Sequence, residues 1–251
     1  GLLQQLRGVQ PSLTVKDIHF EIRQGEILGL VGESGSGKST ILKAIAGLQH
    51  AHSGTMTLQG THNLMSAVEG RSKECLQRIQ LVFQNPDASL NPRHTIAEIL
   101  RRPLTIYFSH DNKTVESELD ELLDSINLPV DYRDRYPGQL SGGEKQRVAI
   151  ARALAAKPDL ILCDEITSAL DVSVQASIIQ LLLELRERHN VAMLFVSHDL
   201  AVVEALADHV IVLKQGEICE AGVVETVFAE PQHEYTQALI NAVAQVQEGR
   251  R

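Results

Sequence analysis

The sequence has no tryptophan, only 4% aromatic residues and three widely spaced cysteines in 251 residues. The scarcity of aromatic side chains argues against binding of single-stranded nucleic acid, because proteins of that class stack bases on aromatic rings. Cys75, Cys163 and Cys219 form neither a CxxC pair nor a Cys/His zinc pattern. Their odd number favours reduced thiols in a reducing compartment.

The sequence also has no excess of basic residues, no long hydrophobic run and no pattern of an N-terminal leader. There are 23 Lys and Arg against 32 Asp and Glu, a net charge of −9, so any anion must bind at a local site. The apolar runs, such as Asp159–Cys163 and Val191–Val196, are far shorter than the ~20 residues of a membrane span. The N-terminus does not fit a signal peptide, and without a starting Met we expect the chain to be a processed, tagged or excised fragment of something longer.

Short apolar strands alternate with helical patterns through most of the chain. Ile27–Val31, Leu160–Cys163 and Val191–Val196 are continuous apolar runs, and Ser173–Arg188 carries apolar residues at helical spacing. Buried strands joined by helices are typical of a mostly parallel sheet covered on both faces. The sequence therefore predicts an α/β fold.

Two regions depart from this pattern. Ser12–Val15, His19–Arg23 and Thr55–Gln59 alternate polar and apolar residues, which predicts an antiparallel β subdomain near the N-terminus. Residues 89–155 have little strand character and predict an inserted helical subdomain. The domain organisation expected for this single domain is a catalytic core at 1–88 and 156–222, a helical subdomain at 89–155 and a C-terminal helical extension at 223–251.

A glycine-rich segment behind the first apolar strand fits the pattern GxxxxGK[ST] and leads into a predicted helix at Ser39–Gly47. Glycines let the backbone N–H groups point inward, and the helix N-terminus adds partial positive charge. Lys38 can reach the β- and γ-phosphates of a nucleotide, and the Ser39 hydroxyl can ligate Mg²⁺. Kinases, GTPases and transport ATPases share this loop, so the motif alone leaves the reaction open. The residues assigned to the phosphate site are Gly32, Glu33, Ser34, Gly35, Ser36, Gly37, Lys38, Ser39 and Thr40.

Two further segments carry candidate chemistry. The strand Leu160–Cys163 ends in Asp164 and Glu165, which an open α/β sheet places at its ligand-binding edge. Asp164 would hold Mg²⁺ through water, and Glu165 would orient or deprotonate the attacking water. Ser141 precedes two glycines at the start of a predicted helix, where free N–H groups predict a second anion site.

Together these motifs resemble those of the ATP-binding subunits of ABC transporters, and the resemblance covers essentially the whole chain. By that resemblance Leu140–Glu144 is the family signature, and Gln84 is the Q-loop glutamine. Ser168–Asp171 is the D-loop, and His198 is the switch histidine. The signature ends in Glu144, where Gln is commoner in the family.

The resemblance implies the ABC ATPase fold, which is a P-loop NTPase core with a mostly parallel sheet, an N-terminal antiparallel β subdomain and an inserted α-helical subdomain. It implies ATP and Mg²⁺ as cofactors. It also implies head-to-tail pairing, in which each ATP lies between one cassette's phosphate loop and the signature of the other. The implied site residues are Glu165, His198 and Gln84 for catalysis, Ser39, Gln84 and Asp164 for the metal, and Ser141, Gly142, Gly143 and Asp171 for nucleotide contact across the dimer.

The implied partners are two transmembrane permease subunits, a second ABC ATPase subunit or domain and an extracytoplasmic solute-binding protein, with no nucleic acid. The chain would lie on the cytoplasmic face of the cell membrane as a peripheral subunit. Phe83–Pro86, Ser89–Arg93 and Tyr136–Pro137 resemble the oligopeptide, dipeptide and nickel importer branch, as do Pro231, His233, Tyr235, Thr236 and Leu239. Residues 220–251 contain no Cys, so the iron-sulfur tail of some branch members is not expected.

Three questions stay open at the level of sequence. Residues 1–19 contain no aromatic residue, so the ring that usually stacks on adenine in this family is not identified. A soluble ABC ATPase acting on nucleic acid or ribosomes is an alternative function, although the negative charge opposes it. The second alternative function is a nucleotide-gated regulatory module that dimerises with ATP but does not hydrolyse it. The solute is not encoded in the motifs of this chain.

Overall fold

The computed structural model describes residues 14–248, which alternate strands and helices. The strands are β1 (Ile27–Val31), β2 (Thr57–Leu58), β3 (His62–Asn63), β4 (Ile79–Val82), β5 (Leu160–Asp164), β6 (Ala192–Val196), β7 (His209–Lys214) and β8 (Glu217–Val223). The helices are α1 (Lys38–Ile45), α2 (Lys73–Arg78), α3 (Pro86–Ser89), α4 (Ile96–Tyr107), α5 (Asn112–Ser125), α6 (Gly142–Leu154), α7 (Val172–His189), α8 (Leu200–Leu206), α9 (Val224–Ala229) and α10 (Glu234–Glu248). No helix within the described residues is both long and apolar enough to cross a membrane.

A six-stranded sheet with the order β4-β5-β6-β1-β7-β8 forms the centre of the structure. The first five of these strands run parallel, and β8 pairs antiparallel with β7 at one edge. Every residue of β1 and β6 is buried, which explains why these strands read as continuous apolar runs. The α/β class predicted from the sequence is confirmed.

Alternate residues of β1 enter two separate cores, one on each face of the sheet. Leu28 and Leu30 pack with Leu42 of α1 on one face. Ile27 and Val31 face the other core, which contains residues of α4, α5, α6 and α7. This two-sided burial fixes where β1 ends, and therefore where the glycine-rich loop begins.

Residues 89–155 form helices α4, α5 and α6 with short 3₁₀ turns and, in the structure, no strand. Thr95 opens α4 with a reciprocal cap: its side chain accepts from Glu98 N, and the Glu98 carboxylate accepts from Thr95 N. The helical character expected for this region is present, while the division into subdomains stays a prediction.

The N-terminal β prediction was wrong at His19–Arg23, which is not a strand. Ile18, Phe20 and Ile22 are partly buried against the core in the expected alternation, but no neighbouring strand within the described residues pairs with them. Ser12 and Leu13 of the first expected strand lie outside the described residues. The third expected strand shortens to β2, which forms a two-stranded antiparallel hairpin with β3.

Candidate functional site

Residues 32–37 form a loop between β1 and α1, and Lys38, Ser39 and Thr40 begin the helix. Gly32, Gly35 and Gly37 have φ angles of 146°, 82° and 109°, which other residues rarely adopt. A Cβ on Gly32 would lie 2.1 Å from the Leu213 carbonyl oxygen, so the loop runs directly against β7. Gly37 caps α1 without a side-chain hydrogen bond, and the first turn of α1 contains no acidic residue. These features leave the helix N-terminus available to an anion.

Lys38 is buried inside this loop, with 5% of its surface exposed. Its Nζ donates to the carbonyl oxygens of Gly32 at 2.8 Å and Glu33 at 2.9 Å. Burial lowers the pKa of Lys38, while the Glu165 and Asp164 carboxylates oppose that shift. The loop therefore holds a positive charge against two of its own backbone carbonyl oxygens, beside the N-terminus of α1.

Ser36 supplies independent evidence that the loop fits a phosphate. Its Oγ is buried and finds no hydrogen-bond partner among the residues that the structure describes. Its backbone oxygen accepts from Gly216 N at 2.9 Å, which fixes the loop against the turn between β7 and β8. An unpartnered buried hydroxyl inside a positively charged loop is consistent with a site that a phosphate oxygen completes.

Asp164 ends β5 and faces the first turn of α1. Ser39 Oγ donates to Asp164 Oδ1 at 3.2 Å. Burial raises the pKa of Asp164; the Ser39 hydrogen bond opposes the rise and the neighbouring Glu165 adds to it. A hydroxyl and a carboxylate are oxygen donors of the kind that Mg²⁺ prefers. The predicted metal ligands Ser39 and Asp164 are therefore brought together.

The three residues predicted to act in catalysis also meet at this edge of the sheet. Gln84 follows β4, Glu165 follows β5 and His198 follows β6, and these strands are adjacent. Glu165 Oε2 lies 3.4 Å from Gln84 Nε2 and 3.3 Å from His198 Nδ1. Glu165 adopts a φ of 48°, a left-handed conformation that is uncommon for a residue with a side chain.

Ser168 is a site residue that the sequence did not single out by itself. Its Oγ accepts from Gln84 Nε2 at 3.0 Å and donates to the Glu165 carbonyl oxygen at 2.9 Å. It thereby links the Gln84 amide to the turn that holds the Glu165 carboxylate. Its place at the start of the Ser168–Asp171 motif was the available signal.

The residues predicted to contact nucleotide across the dimer lie elsewhere in the chain, at the starts of α6 and α7. Ser141 Oγ accepts from Glu144 N at 3.3 Å at the start of α6, and Asp171 Oδ1 accepts from the first N–H groups of α7. Asp171 has a lowered pKa because of its hydrogen bond from the Ser173 hydroxyl. Gly143 must be glycine, because a Cβ would lie 2.5 Å from Val174 Cγ1. Within the described residues, neither hydrogen bonds nor ion pairs join residues 141–143 to the phosphate loop.

Glu144, the residue that departs from the family pattern, has a specific partner. Tyr132 OH donates to Glu144 Oε1 at 2.6 Å, and Ser141 N donates to the other carboxylate oxygen at 2.7 Å. The hydrogen bond from Tyr132 is the main cause of a lowered pKa for Glu144. Tyr132 therefore explains how a carboxylate is accommodated here, and no sequence motif pointed to it.

We expect Tyr132→Phe to lower the melting temperature by about 2–4 °C at neutral pH, because the Glu144 carboxylate loses a charge-assisted donor. Because folding lowers the pKa of Glu144, its ionised carboxylate stabilises the protein above the ordinary pKa of 4.5. This contribution is lost as the pH falls through the folded-state pKa. The difference between parent and variant should therefore vanish in acid. Thermal melts from pH 3 to 7 measure it, with Tyr107→Phe on α4 as control. A difference that persists unchanged at pH 3 would contradict the ionic role of Glu144.

Comparisons with known proteins identify the family to which the sequence is similar. Residues 15–168 match the family model described as "ABC transporter". A putative peptide import ATP-binding protein of Brucella abortus (strain 2308) is 41% identical over 235 residues, covering 94% of this chain and 70% of the relative. The oligopeptide transport ATP-binding protein OppD of Mycobacterium tuberculosis (strain H37Rv) is 45% identical over 246 residues, which cover 98% of this chain. The chain spans only 40% of the length of that OppD.

Two solved structures have similar folds. The cbiO1 protein of Clostridium perfringens, part of the ABC transporter complex cbiONQ, superimposes with a TM-score of 0.77 and 26% identity over 86% of this chain and 84% of that one. The ATP-binding cassette MJ0796, dimeric and bound to ADP and Pi, gives a TM-score of 0.71 and 31% identity over 84% of this chain and 90% of that one.

Proposed function

The chain belongs to the ABC transporter family, and from that premise we propose that it is the ATP-hydrolysing subunit of an importer of peptide-like solutes. The observation that carries this proposal is that Gln84 Nε2 and His198 Nδ1 both lie within 3.4 Å of Glu165 Oε2, at the same sheet edge as the phosphate loop. A site built only to bind a nucleotide has no need of a carboxylate flanked by two polar side chains. The peptide-like solute is inferred from the names of the Brucella and Mycobacterium relatives.

In this function the phosphate loop binds the β- and γ-phosphates of ATP. The Lys38 ammonium, now on the carbonyl oxygens of Gly32 and Glu33, turns to phosphate oxygens. The N–H groups at the start of α1 add donors that need no rearrangement, because Gly37 leaves them uncapped. The Ser36 hydroxyl gains the partner that it lacks among the described residues.

Glu165 acts as the general base toward the attacking water. Gln84 Nε2 and His198 Nδ1 both face its Oε2, so the carboxylate is held between two groups that fix its direction. His198 is 58% exposed and can also reach the γ-phosphate from the end of β6. Mg²⁺ held by Ser39, Asp164 and Gln84 would supply charge stabilisation to the phosphate oxygens.

Two cassettes pair head to tail in this proposal, and the capped start of α6 faces the phosphate loop of the partner cassette. Two observations support this pairing. The residues expected to contact the partner's nucleotide, Ser141, Gly142 and Asp171, are exposed. In the described part of the same chain they bind no group of the phosphate loop. The segment after Gln84 would contact the permease subunits on the cytoplasmic face of the membrane. A solute-binding protein would deliver the peptide.

We expect Ser141→Arg to lower steady-state ATP hydrolysis at least about tenfold while leaving ATP affinity of the isolated chain within about twofold. The reason is that Ser141 would serve the nucleotide of the partner cassette, and an oxyanion or phosphate donor contributes on that scale. Hydrolysis is measured as phosphate release by the assembled transporter in proteoliposomes. ATP affinity is measured by nucleotide titration of the isolated chain.

Ser72→Arg is the matched control, because Ser72 also caps a helix, α2, by accepting from Cys75 N at 3.1 Å. Equal loss of hydrolysis in both variants would reduce the role of Ser141 to helix capping. Dimerisation with ATP but without phosphate release would instead favour the nucleotide-gated module. Salt-sensitive binding of RNA or DNA would favour the soluble ATPase.

A further inference from the structure

A partly buried hydrogen bond joins the phosphate loop to the C-terminal helix α10. Glu33 N donates to Tyr235 OH at 3.0 Å, between residues 202 positions apart in the chain. Tyr235 lies in the first turn of α10 and is 8% exposed. Glu33 is the second residue of the loop, so a side chain from the far end of the sequence reaches its entrance.

Glu33 is held on both sides of its peptide backbone. Its N–H is bound by Tyr235, and its carbonyl oxygen accepts from Lys38 Nζ at 2.9 Å. The same Nζ also binds the Gly32 oxygen at 2.8 Å. A rotation of this part of the loop that breaks the Tyr235 bond would therefore move the two carbonyl groups that position the Lys38 ammonium.

Tyr235 is itself fixed in place. The Lys214 ammonium lies 4.7 Å from the centroid of the Tyr235 ring, within the range of a cation–π contact. Tyr235 N donates to His233 Nδ1 at 3.0 Å. Just before α10, the Glu220 carboxylate of β8 accepts from Gln232 N at 2.8 Å and His233 N at 3.1 Å. The hydroxyl is thus presented to the loop from a helix start that is tied to the edge of the sheet.

The loop needs such support because three of its six residues are glycines in left-handed conformations. Glycine loses the most conformational freedom when it is ordered, so an unsupported loop would lose binding free energy to ordering. The turn between β7 and β8 supports the far side of the loop, where Gly216 N donates to the Ser36 oxygen. Tyr235 supports the near side, where no residue of that turn binds Glu33 N.

We propose that Tyr235 is a positioning residue for ATP binding: its hydroxyl holds the Glu33 peptide and thereby sets the phosphate loop and Lys38 in the geometry that receives the phosphates. The proposal rests on the nucleotide site proposed above. It gives the C-terminal extension a role in the affinity for ATP, and it assigns that role to one hydroxyl group.

Tyr235→Phe tests the proposal, because it removes the hydroxyl and keeps the ring against Lys214. We expect the Kd and KM for Mg-ATP to rise about 3- to 10-fold, the range of one net hydrogen bond, while kcat stays within about twofold. Hydrogen exchange of the peptide that contains Glu33 should quicken in the absence of nucleotide. Tyr107→Phe, which removes a hydroxyl from α4, is the matched control. It should leave the Kd and KM for Mg-ATP and the hydrogen exchange of the Glu33 peptide unchanged.

Lys38→Ala separates the failure of this proposal from the failure of the nucleotide site. If the parental chain binds ATP, Lys38→Ala weakens binding and Tyr235→Phe matches the parent, the role of Tyr235 is overturned and the site stands. If kcat falls with KM unchanged, or if Tyr107→Phe has the same effect, the positioning role is likewise overturned. If the parental chain binds no ATP, both proposals fall.

Discussion

Replacement of Glu165 by glutamine is expected to lower ATP hydrolysis at least ~100-fold, because a general base contributes roughly 10²- to 10⁴-fold and an amide cannot take the proton. ATP affinity should stay within about twofold, since the change keeps the shape of the side chain and leaves Lys38 in place. Glu165 Oε2 lies 3.3 Å from His198 Nδ1 and 3.4 Å from Gln84 Nε2, contacts that a glutamine can also make. Phosphate release and size-exclusion chromatography with ATP are the measurements, and an ATP-bound dimer should accumulate.

Glu204→Gln, the same chemical change at an exposed position on α8, is the control and should hydrolyse ATP at the parental rate. Parental turnover in Glu165→Gln would mean that another group takes the proton. His198→Ala then identifies the alternative, because His198 is a titratable group in contact with this carboxylate. Loss of hydrolysis only in His198→Ala would move the role of base to the histidine.

The local elements around this site could be predicted because each is encoded in a short stretch of sequence. Ile27–Val31 is apolar because both faces of the central sheet are covered. The residues after it fit the pattern GxxxxGK[ST], which is typical of a phosphate-binding loop. Asp164 and His198 could be placed at strand ends for the same reason. Their mutual distance could not, because it depends on the order β4-β5-β6-β1, in which the strands are not arranged as they are in sequence.

The errors fall where backbone pairing or a single long-range contact decides the structure. His19–Arg23 has the alternation of a strand, and its side chains are buried accordingly, but a strand also needs a partner for its backbone groups. β8 escaped prediction because it is an edge strand whose residues are mostly exposed or half-buried, so its hydrophobic pattern is weak.

The hydrogen bonds of Tyr132 and Tyr235 could not be predicted from the sequence. Tyr132 lies in no motif, and Tyr235 was noted only for its resemblance to the importer branch. Neither position indicated that Tyr132 binds Glu144 or that Tyr235 binds the Glu33 N–H. The positive φ of Glu165 also comes from tertiary structure, since its N–H donates to the Val196 oxygen of the neighbouring strand at 3.0 Å. The sequence therefore predicts which groups would carry the chemistry, and the structure shows which contacts hold those groups in place.

Lys38→Met is expected to weaken ATP binding about 10- to 100-fold while changing the melting temperature of the nucleotide-free protein little. Two terms oppose each other in the free protein. The ammonium donates to the Gly32 and Glu33 oxygens, but burial lowers the pKa of Lys38, which means that the site penalises its charge. Methionine removes both terms and fills the same space. The charge of the Lys38 ammonium therefore stabilises bound phosphates and contributes little net stability to the nucleotide-free protein. Thermal melts with and without Mg-ATP measure this, since ligand stabilisation should disappear in the variant.

Lys38→Arg tests the shape of the side chain at constant charge. A nucleotide-free melting temperature that falls by more than about 8 °C in Lys38→Met would show that the ammonium mainly stabilises the fold.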